Sequence, residues 1–440
     1  MNENWPRVAL RELATDIKDG THGTHPRVGE GIPLLSAKNV SGRGKVIVSD
    51  DEELISEYEY RLITSSFAPQ SGDLLITTVG TVGRRAIYDG SKVAFQRSVA
   101  FIRSRKEILA DYLFHAVGSD DFARQLAQRS NATAQIGLYL GELAKVSVPL
   151  PPRPIQRRIA EILSTVDEAI EQTEVLIAKY QQIKAGLMHD LFTRGLSPAA
   201  SAKGDVTWTL RPTRAQAPRL YKESPLGWIP KEWEVVPLSS VTQFITSGSR
   251  GWAEYYSEIG PLFIRIGNLT REHINFRWDS VTRVSLPKLP EGQRTAVLPN
   301  DILISITADL GIVAVADDGL GEAYVNQHIA LVRPRVAPGI SRFLGYFLST
   351  VSVQNQFLRL NDSGAKAGLN LPAIGKMLVV KPVDDFEAKR IAAMLDEADL
   401  SIECHKQEAA KLRQQKHGLM HDLLTGHVRV KVGESQELSA

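Results

Sequence analysis

The sequence predicts an α+β chain built twice: two mixed α/β globular domains in tandem repeat, separated and joined by two long coiled-coil helices. Three observations carry this reading. The hexapeptide GLMHDL stands at Gly186–Leu191 and again at Gly418–Leu423, 232 positions apart (418 − 186). Short β-rich and helical runs recur in the same order ahead of each copy. A heptad-spaced apolar seam then leads into each hexapeptide. Self-similarity at a nearly constant offset is the mark of a tandem duplication.

The bulk numbers set the frame. A chain of 440 residues has room for two or three domains with their own cores. Its 43% hydrophobic and 23% charged content is ordinary for a globular protein. No run approaches the ~18 apolar residues that a membrane span needs. The opening MNENWPRVAL has no apolar signal core, so a cytoplasmic protein without membrane contact is expected. The single Cys404 excludes an intrachain disulfide and a multi-cysteine zinc site. The formal charge of +2 hides a segregation. Residues 1–153 hold 19 Lys and Arg against 18 Asp and Glu, six of the acids fall within Asp50–Glu59, and the remainder carries +7 (19 − 12). Separate basic and acidic faces are expected there.

Taken in chain order, GIPLLSAKNV (Gly31–Val40) resembles GPLFIRIGNL (Gly260–Leu269). GDLLITTVGTVGRRAIYDG (Gly72–Gly90) resembles NDILISITADLGIVAVADDG (Asn300–Gly319), and FQRSVAFIR (Phe95–Arg103) resembles VNQHIALVR (Val325–Arg333). Runs such as DLLITTV and ILISIT, bounded by Gly, Asn and Asp, predict strands. Helical patches follow at Asp111–Gln128 and Ile340–Leu360. IGLYLGELAKVSVPLPP (Ile136–Pro152) and AGLNLPAIGKMLVVKP (Ala367–Pro382) then close the copies on strand-like runs into prolines. That mixture is an α+β domain. The plan is a first domain at 1–153, a central helix at 154–195, a linker at 196–232, a second domain at 233–383, a C-terminal helix at 384–426 and a tail at 427–440.

The central seam runs Ile159, Leu163, Val166, Ile170, Thr173, Ile177, Tyr180, Lys184, Leu187, Leu191, in steps alternating four and three. Adding the offset gives Ile391, Leu395, Ala398, Ile402, His405, Ala409, Leu412, Lys416, Leu419, Leu423. This is coiled-coil rhythm. Polar residues interrupt both seams at the same two steps, and such groups fix register at some cost in stability. About 40 residues at ~1.5 Å each make a rod of roughly 60 Å. GLMHDL is then the last turn of each helix, stopped by Gly195 and Gly426. Between Gly195 and Trp233 the chain is rich in Pro, Ala, Ser and Gly and reads as a linker.

Catalytic motifs are missing. There is no G-x-x-x-x-G-K-[ST] loop, no G-x-G-x-x-G after a strand, no H-E-x-x-H and no Asn/Asp-Pro-Pro-aromatic run. VGTVG (Val79–Gly83) reads as a strand-end turn. His189-Asp190 and His421-Asp422 are adjacent on a helix, about 100° apart, which favours a structural role over a catalytic dyad. His22 and His25 have ligand-like spacing but no Cys or carboxylate cluster to complete a set. No catalytic residue, metal or cofactor is expected, and a solitary enzyme is disfavoured.

The chain resembles the specificity subunits of type I restriction-modification enzymes. The resemblance spans its whole length and rests on DGTHGTHPRVGEGIPLLSAKNV, PLPPRPIQRRIAEIL, GLMHDLFTRG and HGLMHDLLTGHVRV, in that order. It implies two target-recognition domains, each reading one half of an asymmetric bipartite site in double-stranded DNA. It also implies that the two long helices form an antiparallel coiled coil that sets the spacer and docks two methyltransferase subunits, with motor-nuclease subunits in the restriction form. The subunit itself would be non-catalytic. Arg and Lys reach guanine edges, Asn and Gln adenine edges, and all can hold phosphate.

On that basis the candidates in the first domain are Lys18, Thr21, His22, Thr24, His25, Lys38, Asn39, Arg43, Lys45, Arg84, Arg85, Gln96 and Arg97. The loop Lys18–His25 leads because its small residues allow close backbone approach. In the second domain they are Ser247, Ser249, Arg250, Trp252, Arg265, Asn268, Asn326, Gln327 and His328, with TSGSRGWAEYY in place of the DGTH wording. The expected coiled-coil and methyltransferase-docking positions are Ile159, Leu163, Val166, Ile170, Leu187, Met188, Ile391, Leu395, Ile402, Leu419 and Met420. Two alternatives stay open: a related subunit serving a fused methyltransferase-nuclease, and a coiled-coil scaffold that binds only proteins.

Overall fold

The computed structural model describes residues 5–42, 44–65, 67–129, 138–200, 206–248, 251–285, 294–336, 339–360 and 368–431. Arg43, Ser249, Arg250 and the end of the tail lie outside them. The chain divides into two compact units, Met1–Glu174 with Gln407–Ala440, and Val175–Lys406. The division cuts both long helices, so each unit holds a part of each.

In the first unit a four-stranded antiparallel sheet has the spatial order Ala14–Asp19, Val99–Ser104, Leu74–Thr77, Arg85–Ile87. Its central strands are apolar runs because both of their faces are covered. Leu74, Ile76, Ala100 and Ile102 face a core shared with Ile159, Leu163, Leu423 and Leu424 of the long helices. Leu75, Val99 and Phe101 face the other way, toward Leu35, Tyr88 and Phe95. Ile32–Leu35 pairs antiparallel with Leu54–Ile55 and parallel with Ala94–Phe95, making a second small sheet.

The second unit repeats the plan: Thr242–Ser247, Ile329–Pro334, Ile302–Ser305, Val313–Val315 in one sheet, and Arg283–Val284, Tyr256–Ile264, Ala323–Val325 in the other. The bulge that shifts register between Ala14 and Asp16 recurs between Thr242 and Phe244. Two polar clasps recur as well. Arg103 forks onto Asp73 at 3.0 and 2.8 Å, and Arg333 onto Asp301 at 2.8 and 2.7 Å. The amide of Gln125 brackets Ser147 as that of Gln356 brackets Leu378. Each helical patch resolves into two helices, Ala110–Ala116 with Asp120–Arg129 and Ile340–Leu348 with Val351–Leu360.

The long helices run Arg153–Arg194 and Asp385–Thr425. Gly195 and Gly426 end them at φ 63 and φ 72, a left-handed turn that glycine adopts without steric cost. Within each unit the two helical segments are antiparallel, since partner numbers fall on one as they rise on the other. Asp167 meets Lys416 and Glu174 meets Arg413 in the first unit; Tyr180 meets His405 and Lys184 meets Asp399 in the second. The polar interruptions at Lys184 and Lys416 thus carry matched ion pairs.

The segment expected as a linker is a correction. It folds into two hairpins, Leu196–Ala200 with Val206–Leu210 and Tyr221–Ser224 with Gly227–Pro230. Leu196, Tyr221 and Ile229 are buried. Arg211 forms a two-toothed ion pair with Glu387 of the second long helix, at 2.5 and 3.1 Å, and Glu387 also accepts from Leu196 N at 2.7 Å. Pro198, Ala199 and Ala200 hide the period in Leu196–Ala200, and the Pro, Ala, Ser and Gly around Val206–Leu210 outweigh the alternation that VTWTL does show. No helix among the described residues is long and apolar enough to cross a membrane.

Candidate nucleic-acid interface

Antiparallel order brings four strand ends to one edge of the first unit's sheet: the C-terminal ends of Ala14–Asp19 and Leu74–Thr77, and the N-terminal ends of Val99–Ser104 and Arg85–Ile87. The loops 20–25, 78–84 and 96–98 leave from that edge. They are laced together through backbone. Thr21 N donates to Phe95 O at 2.8 Å and Arg97 N to Thr21 O at 3.0 Å. The Thr78 hydroxyl donates to Arg97 O at 3.3 Å. A side chain at Gly20 would put its Cβ 2.1 Å from Phe95 O, so only glycine allows this approach. The second unit has the same contact, with Gly248 placing such a Cβ 2.1 Å from Val325 O.

Lys18, Thr21, His22 and His25 line a cavity of about 390 Å³ at this loop cluster, floored by Phe67, Phe95 and Phe101. The side chains of Lys18, Arg84 and Arg97 have no ion pair or hydrogen bond among the described residues. Lys18 and Arg97 are exposed and Arg84 is half-buried. Thr24 is exposed and Gln96 half-buried, both on these loops. Exposed His22 leans on Asp19 at 2.9 Å.

Other candidates are spent inside the protein. His25 is buried, its ring between the Thr21 hydroxyl and the Glu59 carboxylate at 2.6 Å each. Asn39 accepts from Ser36 N and donates to Ile47 O and Glu52 Oε1, which consumes both amide hydrogens. Asn268 does the same with Arg265 N, Arg277 O and Ser280 O. The repeated asparagine therefore ties a turn rather than offering an edge to a base. Arg85 turns inward: Nε donates to Phe114 O at 2.7 Å and the guanidinium lies 4.8 Å from that ring's centroid. Burial holds its pKa below the ordinary value. Trp252 is stacked at 4.9 Å on Phe263 and buried.

Lys38 and Lys45 occupy intermediate ground. Lys38 pairs with Glu52 at 3.0 Å and Lys45 with Glu171 of the first long helix. Burial pushes the Glu52 carboxyl up, but hydrogen bonds from Lys38, Asn39 and Ser49 outweigh that and hold it below the usual range. An acid fixed in its charged form keeps the Lys38 ammonium occupied.

At the matching edge of the second unit stand Ser247, Asn326, Gln327 and His328. Asn326 is buried and its Oδ1 accepts from His328 N at 3.1 Å. His328 is held on both nitrogens, Nε2 2.9 Å from the Gln327 amide nitrogen and Nδ1 2.9 Å from the Thr307 hydroxyl. The amide donates, so Nδ1 carries the hydrogen and donates to Thr307. Arg265 is half-buried beside its turn. Two residues here escaped the sequence reading. Thr307 is a strand-end hydroxyl within ILISIT, and Arg294 donates to the Thr246 hydroxyl and to Ser247 O. Arg294 has no counterpart in the repeat that could have flagged it.

The expected docking positions divide by burial. Ile159, Leu163, Ile391 and Leu395 are 0% exposed and belong to the cores of their own units, so they have no surface to offer a partner. Leu187 and Met188 pack against one core, Leu419 and Met420 against the other, all half-buried. Val166 and Ile170 are half-buried and Ile402 is buried. The exposed apolar side chains of the long helices are others: Val175, Leu176, Ile183, Phe386 and Leu400.

One family signature, described as type I restriction modification DNA specificity domain, matches residues 2–182 and 230–414, once in each repeat. A putative type I restriction enzyme specificity subunit of Methanocaldococcus jannaschii, MjaX, is 25% identical over 98% of this chain and 95% of its own length. The MjaVIII specificity subunit of the same organism is 23% identical over 92% of each chain. Among solved structures, the type I restriction-modification S subunit from M. genitalium superposes with a TM-score of 0.59 at 14% identity, covering 97% of both chains.

Proposed function

The chain belongs to the type I restriction modification DNA specificity family, and from its role as a non-catalytic DNA specificity subunit we propose a division of labour between its two units. Each recognition domain reads one half of an asymmetric bipartite site in double-stranded DNA, with the edge where strand-end loops converge. The long helices set the length of the unread spacer. The observation that carries this is the repeated edge: one scaffold, held by the same clasps, presents two different loop sets. Contacts to phosphate fix register, and side chains on base edges specify.

The reading set in the first domain is Lys18, His22, Thr24, Arg84, Gln96 and Arg97. In the second it is Ser247, Arg265, Gln327, His328 and Arg294. Arg43, Ser249 and Arg250 join on sequence grounds. The domains are taken as 1–153 and 233–383, with helices 154–195 and 384–426, hairpins within 196–232 and a tail at 427–440. Two methyltransferase subunits dock on the outward helix faces, where Leu176 and Ile183 are exposed, and motor-nuclease subunits complete the restriction form in the cytoplasm.

The test is methylome sequencing of a host without modification of its own, expressing this chain with the methyltransferase of its system. A split asymmetric motif, methylated only when the chain is present, is the expected result. An assembled complex that methylates no such motif would overturn the proposal in favour of a protein-only scaffold.

A further inference from the structure

The second long helix ends in a cluster that the DNA-reading role leaves unused. His421, Asp422 and His427 each bring a ligand atom within 4.8 Å of the others. The two imidazole rings are 5.3 Å apart, centroid to centroid. The backbone makes this possible. Gly426, at φ 72, turns the chain after Thr425, and Val428 N donates to Asp422 O at 3.3 Å, so His427 is folded back on the last helical turn.

Hydrogen bonds settle which nitrogen is free. The Thr425 hydroxyl donates to His421 O at 2.6 Å, which commits its only proton. Its oxygen also lies 3.0 Å from His427 Nδ1, and there it can only accept. Nδ1 therefore carries the hydrogen, and Nε2 keeps its lone pair. A ring oriented through its far nitrogen is the arrangement that metal-binding histidines use. His421 and Asp422 have no side-chain hydrogen bond or ion pair among the described residues. Their ligand atoms are uncommitted.

The first copy of the hexapeptide supplies an internal contrast. There Asp190 is taken by Arg194 at 3.3 Å, and the residue after the glycine is the buried Leu196. In the second copy that arginine is missing from LLTGH, and the residue after the glycine is His427. Only one end of the duplication carries three ligands.

We propose that His421, Asp422 and His427 bind a first-row divalent transition-metal ion, zinc foremost. Two imidazoles and a carboxylate suit such an ion, and water fills the remaining position. Tetrahedral ligands at ~2.1 Å from zinc stand roughly 3.4 Å apart, so the side chains must close somewhat. Both histidines are exposed and free to do so. Bound metal would staple the chain's return onto the helix end, where Leu423 and Leu424 are buried and Val430 packs against the same core.

The experiment titrates Zn²⁺ into the full chain, without a polyhistidine tag and stripped by chelator, in competition with a chromogenic zinc indicator. One tight equivalent per chain is expected. His427→Leu, which copies the first repeat, and Asp422→Asn should each weaken it by about tenfold or more, while His189→Gln leaves it unchanged. Co²⁺ in place of zinc should give ligand-field absorption that His427→Leu loses, and circular dichroism checks that the variants fold. The proposal falls if no equivalent binds, or if His427→Leu retains both the equivalent and the spectrum.

Discussion

Lys184 with Asp399 in the second unit and Lys416 with Asp167 in the first are the same ion pair, related by the 232-residue offset, in different surroundings. In the second unit the two side chains are 10% and 5% exposed. Lys184 also donates to Glu272 O at 2.8 Å, and the Tyr346 hydroxyl lies 2.8 Å from Asp399. In the first unit the exposures are 17% and 35%, and the place of the tyrosine is taken by His115, whose Nδ1 lies 3.9 Å from Asp167. The duplicated device is one that can hold helix register; what it is worth depends on how far its neighbours exclude water.

That difference can be broken by mutation. Lys184→Met strands a buried carboxylate and should cost about 3–5 kcal/mol. Lys416→Met, with its acid one-third exposed, should cost about 1 kcal/mol after solvent screening. Native-state hydrogen exchange, resolved by unit, measures both. Equal losses would mean that burial does not govern the pair.

The ring beside the pair sharpens the contrast through pH. Burial holds the His115 imidazole down at about 3, and the charges of Lys416 and Arg85 add to this. Unfolded histidine titrates near ~6.5, so between that value and about 3 the unfolded state binds the extra proton. Stability therefore falls as pH drops through this window, by about 2 kcal/mol from pH 7 to pH 5. Burial and the adjacent carboxylates push the Tyr346 phenol upward, away from the window. His115→Tyr should flatten the acid slope of the first unit and leave the second unchanged. A slope that survives the substitution would assign it to other groups.

The smallest expected effect separates free from spent arginines. Arg97→Ala should weaken DNA binding by the complete complex and lower the magnitude of the salt-dependence slope by about one, as for a lost phosphate contact. Arg85→Ala should instead loosen the packing at Phe114 and leave the slope alone. A changed slope in the Arg85 variant would put that side chain back at the interface.

Much of this architecture was legible in the letters. The repeated GLMHDL, the alternating steps of four and three, and the apolar runs DLLITTV and ILISIT announced both helices and both central strands, because each is written in local periodicity. The site was legible only in part. Residues 18–25 and 96–97 could be picked out by their pairing between copies, but Arg84 stands opposite Ile312 and Arg294 had no twin either, so the repeat pointed to neither. The hairpins within 196–232 were missed because their strands are short and set among Pro, Ala, Ser and Gly, although VTWTL alternates.

The sequence by itself determined the duplication, the order of elements, the rhythm of the helices and the lack of familiar catalytic motifs, since all are patterns over short windows or between matching windows. Only the tertiary structure decided which polar side chains remain free. Asn39 is spent on Glu52, Arg85 on the carbonyl of Phe114, and Glu387 on Arg211, 176 positions away. Such partners meet through folding alone. A hydrogen bond is set by distance and direction in space, and neither is written in the spacing of residues along the chain.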